Sequence, residues 1–188
     1  TGDVLKERWI YYDNAVDCKT PPTKGLTTRI ENDLYDPLTG IHRKTVISNE
    51  YDSYGNLTKT TDSMGRRSTV EYDNTVHMYP VRTVDPLGFV TTSTYDYTTG
   101  SMLSLTDANN RTTRKTYDVF GRLKSVIGPL DSESAPAATY EYSFTSRPVC
   151  VTKRMKLTHE QQTRYIKTKY YYDGLGRLIQ TTTSADPA

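Results

Sequence analysis

The sequence predicts an all-β protein built as a ribbon of short antiparallel hairpins. Three observations predict it. The chain has 16 Tyr and 31 Thr among 188 residues, and both residue types favour strands. Turn signals recur every 10–13 residues through the middle of the chain. Thr- and Val-rich segments of five to seven residues, such as "RRSTVEY" and "FVTTSTY", lie between the turns and read as strands.

The first series of turn signals is the pair Tyr-Asp, which occurs seven times. The middle copies are 21, 23 and 22 residues apart, and such a period indicates a repeat architecture. The seven pairs are Tyr12-Asp13, Tyr35-Asp36, Tyr51-Asp52, Tyr72-Asp73, Tyr95-Asp96, Tyr117-Asp118 and Tyr172-Asp173.

A second series of turns lies between the Tyr-Asp pairs and begins at Asp62, Asp85 and Asp107. In both series, the Asp side chain can accept hydrogen bonds from backbone amides two residues on. The fourth position is Gly in most copies, or Asn110, and both residue types tolerate a positive φ. Each unit of about 22 residues is therefore predicted to be two strands and two turns.

The repeat divides the chain into four parts of one predicted domain. Residues 131–169, which begin with "DSESAPAA", are interpreted as an insertion or a long hairpin. Thr158 and Gln161 have capping-box spacing, so a short helix is the less favoured alternative within 157–169. The four parts are an irregular 1–34, a regular 35–130, the insertion or long hairpin 131–169, and a resumed repeat 170–188.

The composition excludes several classes of function. Hydrophobic residues make up 35% of the chain, and this figure includes the 16 Tyr, so a solid globular core is not expected. We expect the sheet to be polar on much of both faces. The net charge of +2 and the mixing of charges argue against nucleic acid as a partner. No apolar run approaches the length of a transmembrane helix.

The repeat residues resemble the Rhs/YD repeat, whose core is Tyr-Asp-x-x-Gly-Arg-Leu. The resemblance covers about residues 35–130 and 170–181, and two units keep Gly-Arg-Leu intact, at 121–123 and 176–178. The unit at Tyr72 has no Gly, and the turns at Tyr35 and Tyr95 are one residue longer. The order of "PPTKGL", "YPVRTVDPLG", "GPLD" and "YYDGLGRLIQT" is similar to the B-component of bacterial Tc insecticidal toxin complexes.

This resemblance implies a ribbon that spirals into a hollow shell around a toxic C-terminal polypeptide. The chain would then be a secreted, non-enzymatic wall segment. Its partners would be the remainder of the same shell chain, the enclosed polypeptide and other toxin-complex subunits. An excised segment has two raw sheet edges, so self-association through edge strands is also expected. A carbohydrate- or cell-wall-binding repeat module is the alternative function.

Two side-chain contacts are expected to join neighbouring units. The Tyr of each Tyr-Asp pair is placed to stack on its counterpart one unit away. The Arg of Gly-Arg-Leu is placed to form an ion pair with an Asp of a neighbouring unit, and such an exposed pair contributes about 0–1 kcal/mol.

No residue pattern predicts a catalytic, cofactor-binding or metal site. His42, His77 and His159 are far apart and lack partners at metal-ligand spacing. The glycines of Gly174-x-Gly176 lack the third Gly of a dinucleotide-binding loop. Each turn offers a single Asp, which argues against calcium.

Two features leave alternatives open. Asp85 begins "DPLG", which resembles by letters the Asp-Pro-x-Gly self-cleavage motif of such shells, but it lies in register with Asp62 and Asp107. An ordinary repeat turn is the favoured interpretation. Cys18 and Cys150 are 132 residues apart, so either one long-range bridge or two free thiols is compatible with the sequence, with free thiols favoured.

Overall fold

All regular structure in the described part of the chain is β-strand, which confirms the predicted fold class. The computed structural model describes residues 5–145, 147–157 and 164–186. The chain divides into two units, the first ending at Thr92 and the second beginning at Ser93. In each unit the strands lie in chain order, and the register of each recorded strand pair is antiparallel.

The first unit contains six complete strands and the start of a seventh, β7, within which the boundary between the units falls. Between strands β1 and β2 the chain forms the long loop 13–26, which includes the predicted "PPTKG" segment. The strands are β1 (Lys6–Tyr12), β2 (Thr27–Asp36), β3 (Ile41–Tyr51), β4 (Leu57–Thr61), β5 (Arg67–Tyr72), β6 (Pro80–Val84) and β7 (Val90–Asp96).

The second unit contains the end of β7 and seven further strands. The region 131–169 holds ordinary strands of this sheet, β11, β12 and the start of β13, separated by longer connections. The strands are β8 (Ser101–Thr106), β9 (Thr112–Tyr117), β10 (Leu123–Ile127), β11 (Ala138–Ser143), β12 (Val149–Lys156), β13 (Tyr165–Tyr172) and β14 (Leu178–Asp186). Thr158, His159 and Gln161 lie outside the described residues, so the short-helix alternative is untested at its first turn.

Very little apolar side-chain surface is fully buried. Among the hydrophobic residues that the structure describes, only Ile127 and Ala138 are buried, at 3% and 7% exposure. Ile127 ends β10 and Ala138 begins β11, on either side of the loop 128–137. A single sheet layer has no second layer to cover its faces, which explains why a chain with so few apolar residues can still form it.

Alternation in strands β11–β14 gives this part of the second unit two chemically different faces. Paired residues of antiparallel strands project to the same side, and successive residues alternate. One face carries Tyr140, Tyr142, Val151, Met155, Ile166 and Tyr170 together with Lys153, Thr168, Thr181 and Thr183, whereas the other carries Glu141, Thr152, Arg154, Lys156, Lys167 and Lys169. The first face therefore combines aromatic and aliphatic side chains with polar ones, and most of the positive charge lies on the second face.

Candidate functional site

The repeated Asp turns are the most regular polar feature of the chain. In six of them one carboxylate oxygen, Oδ1, accepts hydrogen bonds from the backbone N–H groups two and four residues on. The Asp that begins each turn also closes the hairpin, because its backbone N–H donates to the carbonyl of the fifth residue of the turn. The six turns begin at Asp52, Asp62, Asp85, Asp107, Asp118 and Asp173, with Oδ1 distances of 2.8–3.0 Å.

The fourth residue of these turns adopts the left-handed conformation. Gly176 has φ +77°, and Asn110 takes the same place in its turn with φ +59°. Gly174, two residues earlier, has no positive φ and no heavy atom within 4 Å of an added Cβ. The repeat therefore requires one glycine of "DGLG" and not the other.

Substituting these two glycines is expected to give unequal effects. Gly176→Ala should lower the free energy of unfolding by about 1–2 kcal/mol, because a Cβ is strained at positive φ. Gly174→Ala in the same turn should change it by less than about 0.5 kcal/mol. Urea denaturation of both variants measures the difference, and equal losses would contradict the assignment.

The turns at Asp36 and Asp96 share a wider form, as predicted from their extra residue. In both, the glycine stands one position later in the turn. The N–H groups of Gly40 and Gly100 donate to the backbone carbonyls of Asp36 and Asp96 at 2.8 and 2.7 Å. However, Tyr35-Asp36 connects β2 to β3, so it lies at the same strand ends as Asp62 and Asp85. Its placement in the Tyr-Asp series was wrong, because the long loop 13–26 already occupies the opposite ends.

Two aspartates without this geometry instead gather several backbone amides. Asp73 is 3% exposed, and its two oxygens accept from five consecutive N–H groups, those of residues 75–79, at 2.6–3.2 Å. Asp13 accepts from the N–H groups of residues 23–26. At Asp73 this cradle replaces the missing turn glycine, while His77 takes the positive φ of 56°.

Hydrogen bonds to the carboxylate form hold the pKa values of many turn aspartates below their usual range. For Asp118 the main cause is the Arg122 side chain, and for Asp173 it is the backbone N–H of Arg177. At Asp73 burial opposes ionisation, but the backbone donors outweigh it and the pKa is lowered. The hydrogen-bond donors around each carboxylate stabilise its charged form, and these donors are in place only in the folded state.

Acid is therefore expected to destabilise the fold. A carboxylate with a lowered folded-state pKa stabilises the fold above its unfolded pKa of about 3.9, and this contribution is lost as the pH falls further. The urea midpoint should be steady between about pH 5 and 7 and fall below about pH 4. Asp118→Asn should flatten that fall. A wild-type midpoint that is unchanged at pH 3 would contradict this account.

The arginines of the repeat form ion pairs within their own turns. Arg122 Nη2 lies 2.6 Å from Asp118 Oδ2, and Arg177 Nη2 lies 2.7 Å from Asp173 Oδ2. The expectation of a pair with a neighbouring unit was wrong, because the tight turn brings the fifth residue back over the first. The contact with the next hairpin is made differently, by the Arg122 guanidinium 4.4 Å from the Tyr142 ring centroid.

Tyrosine hydroxyls connect successive hairpins at one end of the strands. Each donates to the carbonyl two residues after the Gly of the preceding turn at that end. The donor and acceptor pairs are Tyr51 and Thr27 (2.8 Å), Tyr72 and Leu57 (3.2 Å), Tyr117 and Met102 (2.8 Å), and Tyr142 and Leu123 (2.9 Å). At these positions a hydroxyl–carbonyl bond takes the place of the expected tyrosine stacking.

Tyr142 makes the same tyrosine–carbonyl contact within residues 131–169, the region interpreted as an insertion or a long hairpin. It precedes Ser143 instead of Asp, so no Tyr-Asp signal marks it in the sequence. Its hydroxyl nevertheless bonds Leu123 as Tyr117 bonds Met102. A tyrosine at about the right spacing, without the Asp, was the only sequence signal for this unit.

Removing one hydroxyl tests this connection. Tyr72→Phe is expected to lower the free energy of unfolding by about 1 kcal/mol, because the Leu57 carbonyl loses its donor. Tyr54→Phe is the matched control, since Tyr54 is 64% exposed and stacks on His77 with ring centroids 4.0 Å apart. It should change stability by less than about 0.5 kcal/mol. Thermal unfolding of the two variants would contradict the proposal if their losses were equal.

The residues considered for chemistry lie apart. His42 Nδ1 is 3.1 Å from Asp33 on the paired strand, and His77 stacks on Tyr54. Asp85 forms the ordinary repeat turn, as predicted. Cys18 and Cys150 are both free. Within the described ranges, no group of three or more His, Cys, Asp and Glu side chains is placed to hold a metal ion.

One buried ion pair was not predicted from the sequence. Lys156 Nζ lies 2.9 Å from Asp131 Oδ1, and the two side chains are only 10% and 1% exposed. Asp131 Oδ2 also accepts from the Gly128 N–H at 3.1 Å, while the Lys156 N–H donates to the Ala137 carbonyl at 2.8 Å. These contacts fasten the loop 128–137 to strand β12. The 25-residue separation of Asp131 and Lys156 left no local signal.

Comparison with known proteins agrees with this repeat geometry. Residues 98–133 match the family model described as RHS Repeat. This stretch is therefore similar to an RHS repeat. It spans the wide turn at Asp96 to the loop that follows β10, and so contains one complete two-strand, two-turn unit with the intact Gly-Arg-Leu. No curated relative matches the sequence.

Two solved structures share the fold of this chain. They are crystal structures of TcdB2-TccC3-Cdc42 and of TcdB2-TccC3 without its hypervariable C-terminal region. Each matches 95% of this chain with a TM-score of 0.74, at 14% and 13% sequence identity. The chain spans about 15% of the length of these chains. This chain therefore has the same fold as the matching stretch of these two structures. No helix in the described residues has the length and apolar character needed to span a membrane.

Proposed function

We propose that this chain is a non-catalytic wall segment of a secreted Rhs/YD-repeat toxin component that encloses a toxic polypeptide. The observation that carries the proposal is the single-layer sheet, with Ile127 and Ala138 as the buried hydrophobic residues of its described part. Such a sheet leaves both faces available, as a wall between two compartments requires, and gains its stability from neighbour to neighbour. The proposed partners are the rest of the same shell chain, the enclosed polypeptide and other toxin-complex subunits.

The polar groups of the repeat are used to build the wall. The Asp carboxylates accept backbone N–H groups in their own turns, and four tyrosine hydroxyls bond backbone carbonyls. The Oδ1 atoms of these carboxylates and the hydroxyl hydrogens of these tyrosines are therefore already used within the sheet. The alternative of a carbohydrate-binding module has no observation in its favour, and a glycan array on the folded chain would test it.

A segment exchange tests the proposed function. This chain would replace the matching stretch of the TcdB2-TccC3 shell, and the enclosed polypeptide would be exposed to protease. We expect the polypeptide to remain protected, because the segment restores the wall. A chimera carrying Gly121→Ala and Gly176→Ala should protect it less, since both turns need positive φ. Digestion of the polypeptide inside an otherwise folded unmutated chimera would overturn the proposal.

A further inference from the structure

On the basic face of strands β11–β14, Lys167 and Lys169 carry positive charge that no described residue pairs. Among the described side chains on this face, Arg154, Lys156, Lys167 and Lys169 are the cations, against one acid, Glu141. Lys156 is paired with Asp131. Neither Lys167 nor Lys169 forms an ion pair with any described residue, and both lie half-buried on β13.

An acidic segment of this chain already lies on the same face. Asp131 of the loop 128–137 bonds Lys156, and Glu133 of that loop lines a cavity of about 530 Å³ together with Arg154 and Tyr165. The Arg154 guanidinium lies 3.9 Å from the Tyr165 ring centroid, which holds it in place. The loop thus shows how an irregular acidic stretch of polypeptide packs on this face.

We propose that the basic face formed by Arg154, Lys167 and Lys169 binds acidic segments of the enclosed polypeptide in extended conformation. Lys167 and Lys169 are two residues apart on one strand, so their positions repeat at about 6.6–6.8 Å. Carboxylates at alternate positions of an extended segment have the same spacing. Arg154 lies directly opposite Lys167 in the register of β12 and β13, so the positive charge extends across two strands. This partner rests on the proposed function.

A nucleic acid fits the observations less well. The chain as a whole carries only +2, and its long-range field is therefore weak, whereas nucleic-acid affinity depends on many phosphate contacts. The described contact between this face and a loop outside its strands is the carboxylate contact of Asp131 with Lys156. An acidic polypeptide therefore matches the charge, the spacing and the existing loop contact together.

The test is a binding titration on the complete 188-residue chain. The probe is a fluorescent 12-residue peptide that alternates Glu and Thr, compared with one that alternates Gln and Thr. We expect the Glu peptide to bind more tightly, and its affinity to fall with added salt. Lys167→Glu/Lys169→Glu should weaken binding by about tenfold or more. Lys19→Glu/Lys24→Glu, which changes the net charge equally on the exposed loop 13–26, should weaken it less than threefold.

Several outcomes would overturn the inference. These are equal affinity for the Glu and Gln peptides, equal losses in the two double variants, or tighter binding of a single-stranded oligonucleotide at the same lysines. Lys167→Gln/Lys169→Gln, with thermal unfolding as a check, keeps the test valid if charge reversal prevents folding. Failure here would leave the segment-exchange result untouched. Conversely, an unprotected chimera combined with lysine-dependent peptide binding would reject the enclosure but not the binding face.

Discussion

Replacing Lys156 with methionine is expected to lower the free energy of unfolding by about 3–5 kcal/mol. The variant leaves the Asp131 carboxylate, which is 1% exposed, without its ammonium partner. Breaking a buried pair from one side is strongly destabilising because the remaining charge is poorly solvated. Urea denaturation followed by circular dichroism measures the effect, and the loop 128–137 should become accessible to protease at lower urea concentration.

A surface ion pair provides the matched control. Lys59 Nζ lies 2.7 Å from Glu50 Oε1, but these side chains are 26% and 62% exposed. Lys59→Met should therefore lower stability by no more than about 1 kcal/mol. The double variant Asp131→Asn/Lys156→Met should be more stable than Lys156→Met alone, because the uncompensated charge is gone. Equal losses of unfolding free energy in the two single Lys→Met variants would show that burial does not increase the contribution of the Asp131–Lys156 pair to stability.

Replacing Asp73 with alanine is expected to lower the melting temperature by at least about 5 °C. The substitution removes the acceptor of five N–H groups in the loop 74–79. Unlike most of the other turns, this loop has no glycine, so the carboxylate is what holds its conformation. Hydrogen exchange provides a direct readout, since the amides of Thr75 to Tyr79 should lose protection in the variant.

The control for Asp73 is an aspartate with a single amide contact. Asp17 lies in the exposed loop 13–26 and accepts only the Lys19 N–H, at 3.0 Å, among its described contacts. Asp17→Ala should change the melting temperature by less than about 2 °C. Asp73→Asn keeps one acceptor oxygen and should fall between the two alanine variants. An Asp73→Ala protein with unchanged amide protection would contradict the role given to this carboxylate.

The turns were predictable from the sequence because their information is local. Asp118 and Gly121 stand three residues apart, and the hydrogen bonds that join them depend on nothing outside the turn. The same holds at Asp173 and at the wider turn of Asp96. Where a unit lacks the Tyr-Asp pair, the sequence no longer marks the position of its turn. Tyr142 keeps the role of the repeat tyrosine without a following Asp, and the structure reveals this role through the hydrogen bond from its hydroxyl to the Leu123 carbonyl.

The amino-acid sequence by itself determined the all-β class, the period of about 22 residues and the turn glycines, because these follow from backbone preferences within a few residues. Only the tertiary structure decided the contacts between distant residues: the Tyr72 hydroxyl on Leu57, the Asp131–Lys156 pair, and the two faces of β11–β14. The physical reason is register. A shift of one residue in strand pairing would exchange the faces and separate these partners, and no short stretch of sequence specifies that register alone.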